Sequence, residues 1–507
     1  MRGTQQQVKK LMNALNNTFE THNELGSSAV FFENVKHARR DYGGLGKMIL
    51  AKGISDRSGG KIIGIMPYDE QYQKMLEILG GTIDGDNFSF CDRIEIFLRM
   101  ISIVFICTKI EDVVSLKCRG VCIGDLIYNT IIRSSKDIVT INKIKIFEHW
   151  KIIKQAISWT VTYDKKFRKV KPGYYIAEEP GYTQAAIARV AAKHGAKVIQ
   201  YLIGSPCSYI ESFAEGYYYD WNTIQRDNLI KLMEKESVVQ EANGYTEHLF
   251  EKNDVFTMQV RSRQGKIVKE KKEVLLNLGI TNTRKNVLIM LHCFSDNPCG
   301  KNNGIYKDYY EWYVETLKII QRLNNVNWII RPHPARNDYY EKNMVENVLK
   351  EYKSKNIYLL PDEYGPEIIP KLADAIITVS GTAGVEYSAL GIPCVVTGTP
   401  FYACFGYTIN VGTIKMYEKV LKNMHRVHKL APDQIRMAER VFYLYKEECI
   451  KYKEEGFEGL FYHALGKVYQ GWKDIEINRE FISELCEWIE QNDIKESYLY
   501  KFGFETV

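Results

Sequence analysis

Between Trp328 and Thr408 three short apolar runs, Trp328–Ile330, Ala375–Val379 and Cys394–Val396, each break off into polar or glycine-rich residues. Runs this short and this uniformly apolar predict strands of a parallel sheet that is covered on both faces. An open α/β sheet binds its ligands outside the carboxyl ends of its strands. The residues that follow each run are therefore the first place to look for chemistry.

The first run ends in Arg331, His333 and Arg336. The second ends in Ser380-Gly381-Thr382-Ala383-Gly384-Val385-Glu386, a loop that opens a helix. Small residues allow a ligand to approach the backbone closely, and the free N–H groups at the start of a helix suit a phosphate. His333, protonated or as a hydrogen-bond donor, serves the same anion. The plainer alternative is a strand–turn–helix corner whose glycines only allow packing.

At 507 residues the chain is too long for one core, so at least two domains are expected. Hydrophobic content of 45% and charged content of 26% are those of a soluble globular protein, and a net charge of +6 is small for this length. Basic and acidic residues alternate, which argues against a nucleic-acid partner. The eleven cysteines are scattered, and the C-x3-C of Cys118 and Cys122 has no second pair at zinc spacing. They are expected to be reduced and mostly buried, as in a cytoplasmic protein. Met1–Gly26 has the polar pattern of an amphipathic helix rather than a secretory leader. Met100–Thr108 is apolar but bounded by Arg99 and Lys109 and too short to span a bilayer.

The N-terminal half also reads as α/β. Residues 1–60 give mostly helical, polar patterns, and Lys61–Met66 reads as a strand. Asp84-Gly85-Asp86 has the D-x-D form that can hold a metal, but the Gly80-Gly81-Thr82-Ile83 before it suits a turn. Ile94–Ile106 is apolar, and a core position is expected. Asp125 and Arg133 flank a helical pattern; Asp125 either faces a ligand or caps that helix, and Arg133 is a candidate partner for an acid group. Tyr174–Ala177 reads as a strand, Thr183–His194 as a helix and Lys197–Ile203 as the next strand, a parallel β–α–β unit. The loop in that unit holds Glu178 and Glu179. Such a carboxylate can act as base, acid or nucleophile, or can merely complement the helix dipole.

Thr281–Lys285 is the expected linker, and Asn286–Leu291 the first strand of a second α/β domain. The loop that follows begins at His292, again on the ligand side. After Thr408 the pattern turns helical over Met416–His428, Asp433–Glu455 and Asn478–Ile489. The basic stretch Lys419–Lys429 is a solvated helix face or a contact for membrane phosphates. The expected organisation is an N-terminal Rossmann-like domain over 1–280, a C-terminal one over 281–430 facing it across a cleft, and C-terminal helices over 431–507.

The residues His333-Pro334, Ser380 to Glu386, and Gly391 to Tyr402 with Gly406 and Thr408 resemble the bacterial capsule polysaccharide synthesis family, which includes Kdo transferases of the GT-B fold. A similar trio of acidic, His-Pro and serine motifs occurs in bacterial CMP-sialic acid transferases. The acidic motif of those enzymes is Glu-Asp/Glu-Gly; here it is Glu178-Glu179-Pro180-Gly181, with an inserted proline. The C-terminal match spans roughly 286–410; the N-terminal one is confined to Gly120–Arg133 and Glu178–Tyr182.

The resemblance implies a GT-B glycosyltransferase that moves a CMP-activated acidic sugar, Kdo by preference, onto a surface polysaccharide or lipid-linked glycan. The chain is expected in the cytoplasm, or peripheral at the inner face of the cytoplasmic membrane. The resemblance implies no metal and no cofactor beyond the CMP-sugar donor. His333 would contact the donor phosphate, with Arg331 beside it. Ser380, Gly381 and Thr382 would hold the nucleotide phosphate, Glu386 the ribose or base, and Tyr402 and Thr408 would close the site. Asp125, Arg133, Arg336 and His292 are further candidates for substrate contact. Glu179 or Glu178 would be the nucleophile of a retaining enzyme, or the base of an inverting CMP-sialic or nonulosonic acid transferase. A UDP-sugar or CDP-glycerol transferase would need a second phosphate contact from Arg331 and Arg336. A non-catalytic carbohydrate-assembly subunit is the remaining alternative.

Overall fold

The computed structural model describes residues 29–33, 42–65, 70–84, 89–107, 109–136, 138–177, 181–202, 205–209, 233–234, 236–248, 269–299, 304–352, 354–400 and 402–444. They form two compact units: 29–127 with 143–209, and 128–142 with 233–444.

The first unit is built on a six-stranded sheet of β1 (Ala29–Glu33), β2 (Lys61–Ile65), β3 (Thr82–Asp84), β6 (Pro172–Ala177), β7 (Lys197–Leu202) and β8 (Ser205–Tyr209). A two-stranded hairpin, β4 (Lys117–Cys118) with β5 (Val121–Cys122), stands apart from it. The strand order is β3-β2-β1-β6-β7-β8, and only the β7–β8 pairing is antiparallel. β1 is the hub, with Val30 beside Ile62 on one flank and Tyr174 on the other. The sequence pattern assigns residues 1–60 mostly to helix; Tyr42–Ser58 is a helix, and Ala29–Glu33 is a strand that the pattern does not single out. Its four apolar residues lie between polar flanks and show no period, and burial on both faces decides the conformation.

The second unit repeats the plan with β9 (Asn286–Met290), β10 (Asn327–Arg331), β11 (Ile357–Leu359), β12 (Ala375–Thr378), β13 (Cys394–Val396) and β14 (Thr408–Asn410). The order is β11-β10-β9-β12-β13-β14, with every pairing parallel. Both sheets therefore have the Rossmann order, which grows outward in two directions from a central strand. Each unit is thus an α/β layer of Rossmann-like strand order.

The four central strands of the second sheet lie on the apolar runs of the sequence, and every residue of β10, β12 and β13 is buried. Trp328, Ile330, Ile289 and Ile377 pack beneath Trp312, Tyr313 and Leu317 of the helix Tyr309–Ile320. Asp308 caps that helix, its carboxylate accepting the Glu311 N–H at 2.7 Å.

The unit boundaries differ from those expected at 280 and 430. Residues 128–142 join the second unit because Tyr128 and Thr140 donate to the Asp308 cap, and Asn129 binds both the N–H and the carbonyl of Cys299 at 2.9 Å. The helix Pro432–Tyr443 also belongs there. Tyr443 and Phe442 stack edge-on against Tyr245 at 5.4 and 5.7 Å, and an added Cβ on Gly391 would meet Ile435 Cδ1 at 3.1 Å. Of the other expected C-terminal helices, Met416–His428 shortens to Ile414–Lys422 with a 3-10 turn, and Asn478–Ile489 lies outside the described residues.

Ile94–Ile106 falls within the helix Phe90–Ile106, opened by a capping box of Ser89 and Asp92. Ile96, Met100 and Ile103 face the core, but Phe97, Leu98 and Phe105 are more than half exposed, so this segment is not a buried core element throughout. No described helix is long and apolar enough to cross a membrane.

Candidate functional site

In a Rossmann sheet the crevice opens where the strand order changes direction, here between β9 and β12. The loops that leave the carboxyl ends of β9, β10 and β12 carry His292, His333 and Ser380, and the structure joins them. The Ser380 N–H donates to His292 Nε2 at 3.3 Å, and Thr378 Oγ1 lies 3.1 Å from the same nitrogen. The amide fixes Nε2 as an acceptor, so the proton of neutral His292 sits on Nδ1. The ring stacks on Tyr309 at 4.2 Å, and Tyr309 hydrogen-bonds to the Ser380 hydroxyl. Burial, and secondarily the neighbouring His333, pushes the His292 pKa down to about 3, so the ring is neutral at physiological pH.

His333 stands in the loop after β10. Its Nδ1 accepts the Ala335 N–H at 3.2 Å and lies 3.0 Å from Cys293 Sγ. Burial lowers its pKa, Asp296 opposes that shift, and Arg331 adds to it. Cys293 to Asp296 are held by Glu341, which is 2% exposed. Its carboxylate accepts the N–H of Phe294 at 2.9 Å and the N–H and hydroxyl of Ser295, each at 2.7 Å. Arg133, exposed, lies over the Tyr339 ring at 4.1 Å, and the Tyr339 hydroxyl bonds to Asp296. Arg133 is thus carried to the edge of this cluster by the segment that joins the second unit.

The Ser380 loop needs its glycines. An added Cβ on Gly381 would come within 3.0 Å of Thr378 Oγ1 and 3.5 Å of His292 Cε1, and one on Gly384 would lie 2.0 Å from the Tyr402 hydroxyl. Gly384 is therefore where the helix Ala383–Ser388 crosses Tyr402, and Thr382 is left exposed at the mouth of the loop. Glu386 is half-buried one turn further on.

Several residues expected at the ligand lie elsewhere or are already engaged. Arg331 is buried, and its two terminal nitrogens donate to the carbonyls of Pro361 at 3.0 Å and Tyr364 at 2.7 Å. Arg336 forms a bidentate pair with Glu346 at 3.1 and 2.7 Å and reaches Asp362 at 2.7 Å. Both cations brace the loops behind the site. Tyr402 is fully buried and donates to the Gly381 carbonyl at 2.5 Å, so it props the loop from below. The parallel register sets Thr408 beside Cys394, at the amino end of β13, away from the strand ends that carry His333 and Ser380.

In the first unit Asp125 lies in the first turn of the helix Gly124–Ser134. It is paired with the fully buried Arg189 through two hydrogen bonds of 2.7 Å, and Arg189 also donates to the Cys122 carbonyl. Gly124 just before it is obligatory, because a Cβ there would lie 1.7 Å from the Val113 carbonyl oxygen. Asp84 ends β3 in an ion pair with Lys166 at 2.6 Å. Glu178 and Glu179, which follow β6 directly in the chain, lie outside the described residues. Among the described residues no group of three or more His, Cys, Asp or Glu side chains is placed to hold a metal ion, and no disulfide forms.

Residues 225–438 match the family model described as capsule polysaccharide biosynthesis protein. The matched segment is less than half of the chain. It contains the second sheet with His292, His333 and the Ser380 loop. A comparison with curated proteins finds no match. Among solved structures, the chain is similar to a β-Kdo 2,7 transferase of Thermosulfurimonas dismutans, with 14% identity over 59% of this chain and 88% of that one, TM-score 0.31. It is also similar to a glycosyltransferase of Rickettsia africae, with 11% identity over 88% and 98%, TM-score 0.28. A UDP-GlcNAc 2-epimerase of Neisseria meningitidis matches at 12% identity over 82% and 98%, TM-score 0.25. Scores this low carry no functional conclusion from those proteins to this chain.

Proposed function

We propose that the chain is a glycosyltransferase of capsule polysaccharide assembly whose donor is a CMP-activated acidic sugar, Kdo first among them. The acceptor is a surface polysaccharide or lipid-linked glycan, which a peripheral position at the membrane would make accessible. The observation that carries this reading is the engagement of the cations at the second switch point. A diphosphate donor calls on Arg331 and Arg336 for its second phosphate, and both guanidinium groups are held by protein partners. Among the described residues, His333 and the Ser380 loop with the exposed Thr382 stand at the strand ends. These are donors suited to the single phosphate of a CMP leaving group, which such a site can stabilise without a metal.

In this reading His333 and the Ser380–Thr382 loop bind the phosphate, and Glu386 serves the nucleoside. His292 holds the loop by its amide. Among the described residues, exposed Arg133 beside Tyr339 is a cation that would meet a sugar carboxylate. Glu179 or Glu178 supplies the carboxylate at the anomeric centre. In the retaining form it attacks the anomeric carbon as CMP departs, and the acceptor hydroxyl then displaces it, losing its proton. In the inverting form the same group takes the acceptor proton directly.

A thermal-shift titration with CMP, CDP, UMP and UDP, without added metal, tests the donor. A ligand bound only by the folded state raises the melting temperature. CMP is expected to shift wild type more than the others and to lose most of that shift in His333→Ala. A larger shift with UDP or CDP would replace the monophosphate reading by the diphosphate one. Full transferase activity in the double variant Glu178→Ala, Glu179→Ala would remove the carboxylate assignment.

A further inference from the structure

The two ring nitrogens of His333 have different surroundings. Nδ1 takes the Ala335 N–H at 3.2 Å and has Cys293 Sγ 3.0 Å away. A backbone amide donates at every pH, so the nitrogen that receives it must present its lone pair. The proton of the neutral ring then sits on Nε2. An imidazolium would set an Nδ1 proton against the Ala335 amide, with only a sulfur, a weak acceptor, to receive it.

Cys293 is 3% exposed, and Glu341 holds the two residues that follow it, so its place beside the ring is fixed. Burial first, and then the carboxylates of Glu341 and Asp296, raise its pKa far above the ordinary thiol value. It therefore keeps its proton and is a second donor to Nδ1. A nucleophilic thiolate would need that nitrogen free to take the proton, and the Ala335 amide already occupies it. The other charged groups acting on His333 are Asp296, which favours the imidazolium, and Arg331, which disfavours it; the neighbouring His292 is neutral.

We propose that Cys293 is a positioning residue that, together with the Ala335 amide, locks His333 as the neutral Nε2–H tautomer. A phosphate at this site then meets one uncharged donor of fixed direction instead of a mobile cation. The lock is a property of the protein alone; its use for a phosphate rests on the donor site proposed above.

The test is an imidazole 1H–15N correlation spectrum of the 15N-labelled full chain, with the His333 signals assigned by their loss in His333→Gln. Wild type should show Nε2 protonated and Nδ1 bare across about pH 6 to 8, the range in which an ordinary histidine titrates. Cys293→Ser keeps a donor and should keep the pattern. Cys293→Val fills a similar volume without a donor; the Ala335 amide still holds Nδ1, so the Nε2–H tautomer should persist while the His333 titration rises from its lowered position. An Nδ1–H or imidazolium signal in wild type at neutral pH would overturn the lock. So would a Cys293→Val titration indistinguishable from wild type. CMP affinity should fall roughly three- to ten-fold in Cys293→Val and recover in Cys293→Ser, the worth of one hydrogen bond. If the tautomer pattern holds while CMP binds none of the three proteins, the lock stands and the phosphate role of His333 fails.

Discussion

The two units each bury a cluster of polar side chains, and the clusters are built in opposite ways. In the first, Asp164 is wholly buried and receives Arg119, Arg168 and Lys193 at 2.7 Å each and His194 at 3.0 Å. Arg119 also grips Glu95 at 2.5 Å. In the second, the cluster at the ends of β9, β10 and β12 is made of His292, His333, Cys293, Tyr309 and Ser380, joined by hydrogen bonds between neutral groups. A saturated ion network stabilises a fold but has little left to offer a ligand. A cluster of neutral donors at a switch point, with charges braced behind it, is prepared for an anion. The comparison teaches that in these two clusters the charged groups are engaged in structure, and the neutral ones are left at the candidate site.

The sharpest way to break that comparison is Asp164→Asn. It leaves Arg119, Lys193 and Arg168 beside an uncharged group, and breaking a buried pair costs about 3–5 kcal/mol. Urea unfolding should show that loss with no effect on CMP affinity measured well below the transition. A loss under about 1 kcal/mol would mean the network is only decoration. Its pH dependence follows from linkage. Burial alone would raise the Asp164 pKa, but hydrogen bonds from Lys193, Arg119 and His194 outweigh it and hold it far below the unfolded value near 3.8. The stabilisation is complete above about pH 4 and is lost as pH falls through the folded pKa, so the cost of Asp164→Asn should shrink in acid.

Glu341→Gln sharpens the contrast from the other unit. The glutamine loses an acceptor for Phe294 and Ser295, at about 1–3 kcal/mol. Here burial raises the carboxyl pKa above 4.5, so wild-type stability declines as pH rises from 4.5 through the folded value. The cost of Glu341→Gln should be greatest in acid and smaller at neutral pH, opposite to Asp164→Asn. Parallel pH curves for the two variants would contradict the assignment.

The smallest effect is expected from Tyr402→Phe. It removes the hydroxyl that holds the Gly381 carbonyl, worth about 1 kcal/mol of stability by thermal unfolding. It should also weaken CMP by a few-fold if the loop is the phosphate loop, and leave it unchanged if Tyr402 only fills space.

Much of the second unit was readable in the chain because its strands are uniformly apolar and buried on both faces. β9, β10, β12 and β13 fall on runs visible by eye, and the glycines of the Ser380 loop announce a close approach that the structure shows at Gly381 and Gly384. β1 was not readable, since nothing in Ala29–Glu33 says that it lies between two partners. The roles of Arg331 and Arg336 were read from type and place alone. The carbonyls of Pro361 and Tyr364 that hold Arg331 lie 30 and 33 residues away. Asp362 and Glu346 take Arg336.

What the sequence determined by itself is therefore the local part: strands, the loops at their carboxyl ends, and the small residues that permit a tight turn. Periodicity, burial and glycine act within a few neighbours, so they are written in consecutive residues. Only the tertiary structure decided which of those loops meet, which cations are already engaged, that Thr408 stands at the amino end of its sheet, and that Asn129 reaches Cys299 across 170 residues. Those outcomes depend on pairings between distant segments, where register and burial choose the partner and residue type alone does not.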